Sequence, residues 1–168
     1  LALSVNPINP DFERSTFVYT TAMVANLAAS TLVTATPVSA SDAVSVTVAA
    51  NGGTAGACSG TTPRCALTVG DNTITVTVTT ADGSSQFYTV AVPRAAPPTL
   101  SQLELSAGTL APAFISGTLS YSIAAVANLT TSTLVTAATT TATDSISITA
   151  AANGGAGTAC TGTTPSCA

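Results

Sequence analysis

Valine and isoleucine alternate with serine and threonine along much of the chain. Val44, Val46 and Val48 enclose Ser45 and Thr47. Ile74, Val76 and Val78 alternate with Thr75, Thr77 and Thr79, and Tyr88, Val90 and Val92 alternate with Thr89 and Ala91. A two-residue period sends successive side chains to opposite faces, which suits a strand with one buried face. Turn chemistry separates the runs, with Asp82-Gly83 as a hairpin signal and Asn51-Gly52-Gly53 as a second turn. The pattern predicts strands near 1–5, 16–23, 30–36, 43–50, 65–69, 72–80 and 85–93. No segment of useful length has helical periodicity. Seven short strands with intervening turns describe an all-β fold, a sandwich of the immunoglobulin type.

The same pattern occurs twice. Phe12 matches Phe114, Tyr19 matches Tyr121, Asn26 matches Asn128 and Cys58 matches Cys160, each pair 102 positions apart. The register holds without a gap from Leu1/Leu103 to Ala66/Ala168, and about half of the aligned positions are identical. STLVTA stands at both Ser30–Ala35 and Ser132–Ala137. A fixed period of this kind marks tandem copies of one unit. The first module is expected over 1–94 and the second over 100–168, with 95–99 (Ala-Ala-Pro-Pro-Thr) as a proline-rich, semi-rigid linker.

Composition narrows the chemistry. The chain has 168 residues, 6% of them charged, with a formal net charge of −4 and a mean hydropathy of +0.51. It has three arginines (Arg14, Arg64, Arg94) and no lysine, histidine or tryptophan. Serine–histidine and cysteine–histidine catalysis need an imidazole, and Schiff-base chemistry needs a lysine. A histidine-ligated metal is excluded, and three arginines on an acidic chain give no cationic surface for nucleic acid. The expectation is a non-enzymatic protein with no catalytic residues, no metal and no cofactor. About three residues in ten are threonine or serine, so hydroxyls on outward strand faces supply the polar surface. No run of about 18 apolar residues is present, so no membrane span is expected. The chain opens at Leu1 without a methionine, as a processed chain or a segment of a longer one does.

The four cysteines form two matched pairs, Cys58 with Cys65 in CSGTTPRC and Cys160 with Cys167 in CTGTTPSC. Glycine, threonine and proline let each loop turn back, and a zinc site would need further ligands that the neighbourhood lacks. A local structural disulfide is expected in each module, and with it an oxidising compartment. The carboxylates are Asp11, Glu13, Asp42, Asp71, Asp82, Glu104 and Asp144, of which only Asp42 and Asp144 correspond between modules, each at a turn position before a strand. An acid pair for glycoside hydrolysis has little support with 4% aromatic residues. Asn128-Leu129-Thr130 is an N-glycosylation sequon whose counterpart, Asn26-Leu27-Ala28, is not. Thr139, Thr140 and Thr141, and Thr61 and Thr62, are candidate O-glycan acceptors. Phe12, Tyr19, Phe114 and Tyr121 are expected in cores, and Phe17 and Phe87 as exposed aromatics.

Leu103-x-Leu105-x-x-Gly108-x-Leu110-x-Pro112-x-Phe114, followed by Tyr121, resembles the start of the cadherin-like β-sandwich repeat of secreted and surface proteins. Leu67-Thr-Val-Gly70-x-Asn72-x-Ile74-x-Val76-x-Val78-x-x-Ala81-Asp82-Gly83, continued by Tyr88-x-Val90-x-Val92-x-Arg94, is similar to its end. Module one departs at Asn6-Pro7-Ile8, where the family has Gly-x-Leu, and the paired cysteines are an addition. The resemblance implies the fold and an extracellular or cell-surface setting. It implies no calcium site, because the carboxylate clusters of true cadherins are absent.

Module two ends at Ala168, the equivalent of Ala66, without counterparts of Thr73–Thr80 and Ser85–Pro93. A sandwich lacking those strands leaves an apolar face and open strand edges. Further repeats of a longer chain, or a neighbouring copy donating strands, would cover them. Module one uses all its own strands, which favours the first. The overall expectation is a structural subunit or segment of an extracellular fibre, appendage or surface filament, assembled head to tail, with copies of itself or further repeats as partners and covalent glycans as decoration. The alternative is an adhesin stalk or carbohydrate-binding surface repeat.

Overall fold

The structure is a computed structural model, and it describes residues 1–153, 155–160 and 166–167. It is all β, with no helix among the described residues. The chain divides into two compact units, Leu1–Pro97 and Pro98–Ala168.

The first unit has nine strands: β1 (Ala2–Leu3), β2 (Ile8–Asn9), β3 (Val18–Thr21), β4 (Ser30–Thr34), β5 (Ala43–Ala50), β6 (Gly56–Ala57), β7 (Arg64–Ala66), β8 (Gly70–Thr79) and β9 (Ser85–Arg94). They form two sheets, ordered β1-β4-β7 and β2-β3-β9-β8-β5-β6. All seven expected strands are present, and the two-residue β2 and β6 are additional edge pieces. The longest ladder is the hairpin β8–β9, in register from Gly70↔Arg94 to Thr79↔Ser85. β5 lies antiparallel on the other side of β8, from Ala43↔Thr79 to Ala50↔Asn72. β3 runs parallel to β9, so β8 and β9 sit at the centre of the larger sheet.

Alternation becomes burial in the expected phase. Ile74 and Val76 of β8 and Val90 and Val92 of β9 point inward with Tyr19 and Val46, and meet Val33, Cys65 and Leu67 from the other side. Removing these apolar side chains from water is the main driving force for the fold. Polar groups at the same depth are paired. The Asn72 side chain is 1% exposed. It accepts the Thr68 amide at 2.9 Å and donates to the carbonyls of Thr68, Gly70 and Val92 at 2.9–3.1 Å. One carboxamide thus satisfies the bend that enters β8 and ties it to β9.

Two turns need special backbone. Asp82 caps the β8–β9 hairpin, its carboxylate accepting the Ser84 amide at 3.0 Å and the Thr80 hydroxyl, while Gly83 takes φ +88°. Gly70 takes φ +94°, and a Cβ there would collide with Oδ1 of Asn51. That oxygen accepts the Asp71 amide at 3.0 Å, so the close approach is part of the turn's own hydrogen bonding.

The second unit contains β10 (Leu100–Leu105), β11 (Thr133–Thr139), β12 (Thr149–Ala150), β13 (Thr158–Ala159) and β14 (Ser166–Cys167), with sheets β10-β11-β14 and β12-β13. Several of its pairings repeat those of the first unit. Leu3↔Val33 becomes Leu105↔Val135, Thr31↔Cys65 becomes Thr133↔Cys167, and Thr47↔Ala57 becomes Thr149↔Ala159. Asn9↔Thr20 becomes the bridge Ala111↔Ser122.

Candidate functional site

The features that carry chemistry here are a covalent staple, a clamp and a cluster of aromatic rings. The staple is the disulfide Cys58–Cys65, with the two Cα atoms 4.6 Å apart. Cys58 follows β6, and its amide donates to the Val46 carbonyl of β5 at 2.9 Å, so it belongs to the larger sheet. Cys65 lies in β7 of the smaller sheet and is completely buried. The bond therefore joins the two layers, a larger role than pinning an exposed loop. Cys160–Cys167 has the same separation of seven residues, and the Cys160 amide donates to the Ile148 carbonyl at 3.0 Å. It ties the β12–β13 pair to the β10-β11-β14 sheet in the same way. There is no free cysteine among the described residues.

The clamp is Arg94. Its Nε donates to the Asn26 carbonyl at 3.0 Å, Nη2 reaches the same oxygen, and Nη1 donates to the Leu67 carbonyl. Its backbone bridges to Val24, whose amide donates to the Pro93 carbonyl at 2.8 Å. Asn26 returns a bond from Nδ2 to the Ala95 carbonyl at 3.0 Å. A guanidinium with a fixed fork of donors is well suited to holding several carbonyls at once. Arg94 thus locks the exit of the first unit onto its own body.

The aromatic rings are arranged differently from expectation. Tyr19 is buried, with its hydroxyl 2.7 Å from the carbonyls of Glu13 and Thr16 as donor and accepting the Glu13 amide at 3.2 Å. Tyr121 makes the corresponding bonds to Ile115 at 2.7 and 3.1 Å. Phe12, expected in the core, remains 41% exposed. It packs on Tyr19 and Tyr88 with centroids 6.0 and 5.8 Å apart, and Phe17 also packs on Tyr88, at 5.5 Å. The cause is position: Phe12 precedes β3 and covers the rim rather than entering the sheet interior. Phe114 is half-buried against Tyr121 at 6.0 Å. Phe17 and Phe87 are exposed, as expected. Phe12 and Tyr88, with Arg14, Asp42, Val38 and Gln86, line a cleft of about 150 Å³.

Asp42 and Asp144 occupy equivalent turns, their amides donating to the Ser39 and Thr141 carbonyls at 3.1 and 3.0 Å. Asp82 is held below the usual carboxylate range, first by the Thr80 hydroxyl and then by Ser84. No group of three or more metal-ligating side chains occurs among the described residues. Asn128 is exposed on a turn closed by the Thr130 amide donating to the Ala127 carbonyl at 2.9 Å. Thr140 and Thr141 are exposed, and Thr139 is half-buried with its hydroxyl donating to the Thr141 carbonyl at 2.8 Å. Thr61 and Thr62 are exposed within the disulfide loop. Their counterparts in the second loop lie outside the described residues.

Two sheets packed face to face, closed by a tyrosine pin and an inter-sheet disulfide, define a β-sandwich module. A family model described as "Cadherin-like beta sandwich domain" matches residues 1–95, and the chain belongs to that family. Its domains are typical of extracellular and surface proteins. No curated protein and no solved structure matches the chain.

Proposed function

We propose that the chain is a structural segment of an extracellular fibre, appendage or surface filament, built from tandem sandwich modules and assembled head to tail. In this reading Pro98–Ala168 is a second copy of the cadherin-like sandwich. The supporting observation is the repetition, at one spacing of 102 residues, of strand pairs, tyrosine pin and inter-sheet disulfide together. A unit repeated with its staples intact is a building element, and a contact between its unlike ends propagates when it does not close into a ring. Few charges allow close approach of neighbours, and the hydroxyl-rich faces suit glycans at Asn128 and at Thr61, Thr62 and Thr139–Thr141. The role is mechanical, without catalysis, cofactor or nucleic acid. Negative-stain electron microscopy of the purified chain is expected to show filaments. Monodisperse particles that do not associate at any concentration would contradict the assembly.

One observation favours a second reading, an adhesin stalk or carbohydrate-binding repeat. Phe12 and Tyr88 line a cleft with Arg14, Asp42 and Gln86, and Phe17 packs on Tyr88; aromatic rings flanked by hydrogen-bonding groups suit a sugar ligand. Glycan-array binding that is lost in Phe12→Ala supports it, and a blank array removes it.

A further inference from the structure

The even-numbered side chains of β5, β8 and β9 point into the sandwich, and the core takes Val46, Ile74, Val76, Val90 and Val92 from them. Near the β8–β9 hairpin the same phase reaches Gln86, paired with Val78, and Asp42, two residues before Val44. Both are polar where the alternation calls for apolar residues. Both line the cleft of about 150 Å³ together with Phe12, Arg14 and Tyr88. An apolar floor with a few convergent polar groups is the make-up of a small-molecule site.

Arg14 gives this cleft its character. Of the other arginines, Arg94 is committed to the carbonyls of Asn26 and Leu67, and Arg64 donates to the Ser30 hydroxyl at 2.8 Å. The Arg14 guanidinium has no hydrogen-bond partner and no ion pair among the described residues, although Asp42 lines the same cleft. Its backbone is held, since the Tyr88 hydroxyl donates to the Arg14 carbonyl at 3.2 Å. The fold does not require the charge. The equivalent residue of the second unit is Ser116, and the Tyr121 pin forms beside it all the same. Phe12, Tyr19 and Asp42 recur as Phe114, Tyr121 and Asp144, whereas the arginine is private to the first unit. An unpaired guanidinium at a cleft, on a chain of net charge −4, is a local cation suited to an anionic group.

We infer that this cleft takes one carboxylated sugar ring, a terminal uronic acid. The inference rests on the carbohydrate-binding reading and assigns the charge of the sugar. Arg14 offers its fork of donors to the sugar carboxylate. The Asp42 carboxylate accepts from ring hydroxyls, and the Gln86 carboxamide donates to one oxygen and accepts from another. The C–H face of the ring lies against Phe12 and Tyr88. At about 150 Å³ the cleft is half the size at which pockets for drug-sized ligands begin, about 300 Å³, so it holds a chain end rather than a run of sugars. Asp42 also limits the charge, because a second anionic group would meet its carboxylate. A single carboxylate is therefore preferred to a polysulfated sugar.

The test titrates the isotope-labelled 168-residue chain with methyl glucuronide and with methyl glucoside, and reads amide chemical shifts. The two probes differ only in a carboxylate against a hydroxymethyl group. The glucuronide is expected to bind on the order of 10-fold more tightly or better, with shifts centred on Arg14, Asp42, Gln86 and Tyr88. Raising salt from about 0.05 M to about 0.5 M should weaken the glucuronide and leave the glucoside unchanged. Arg14→Ser, an exchange the second unit already carries at Ser116, should bring the glucuronide down to the level of the glucoside without changing thermal unfolding of the Leu1–Pro97 unit. Equal affinity for the two probes, or a preference for the acid that survives Arg14→Ser, overturns the inference and leaves the carbohydrate reading standing. Tighter binding of a polysulfated oligosaccharide than of the glucuronide overturns it as well. Binding of neither probe overturns both the inference and the reading it rests on.

Discussion

Asn72 shows how one side chain fixes a local conformation that alternation cannot. It occupies an inward position of β8, where the pattern calls for an apolar residue, and its place is justified by three carbonyls and an amide that have no water to turn to. Asn72→Ala should cost about 2–4 kcal/mol in urea unfolding, because buried partners lose their bonds. A loss below about 0.5 kcal/mol, the range of surface substitutions, would contradict the role assigned to it. Asp82 works at the opposite extreme of exposure. Its folded pKa is lowered, so its contribution is present above the unfolded carboxylate value and disappears as pH falls through the folded one. The stability difference between the native chain and Asp82→Asn should therefore grow as pH rises from about 2 to about 5 and stay flat above. A thermal unfolding series that shows no trend in that window would contradict it.

At the scale of elements, the strands with three or more alternating residues were legible because period two is both a sequence property and a burial property. β5, β8 and β9 follow their predicted ranges closely. β2 and β6 leave no mark in the pattern, because two residues are too few to show a period. The cysteine spacing predicted a local bond, and the structure has it. Spacing could not say that Cys58 and Cys65 belong to different sheets, since that depends on where β6 and β7 pair. The depth of Phe12, 41% exposed, is not in the pattern either, since recurrence marks importance and not depth. The inter-sheet position of the staple makes a sharper prediction than its loop length. Replacing Cys58 and Cys65 by Ala should destabilise the Leu1–Pro97 unit by about 2–3 kcal/mol. The same change at Cys160 and Cys167 should cost less, because Cys167 is only half-buried and the layers it joins are less filled. Equal losses in both units, measured by denaturant unfolding under non-reducing conditions, would contradict this.

On the scale of the whole molecule, the repeat was the strongest signal, and it carried the cadherin-like fold of the first 95 residues without reference to any site. The candidate site was less legible. The aromatic cleft beside Arg14 and the Arg94 clamp depend on long-range placement of loops. The account rests on one physical asymmetry: equal sequence patterns 102 residues apart, unequal burial. Amide exchange of the 168-residue chain, under dilute conditions that keep it monomeric, measures this directly. The prediction is slow exchange at Tyr19–Thr21 and Val44–Val48 and fast exchange at Tyr121–Ile123 and Ile146–Ala150. Comparable protection at both sets would contradict the unequal burial of the two units.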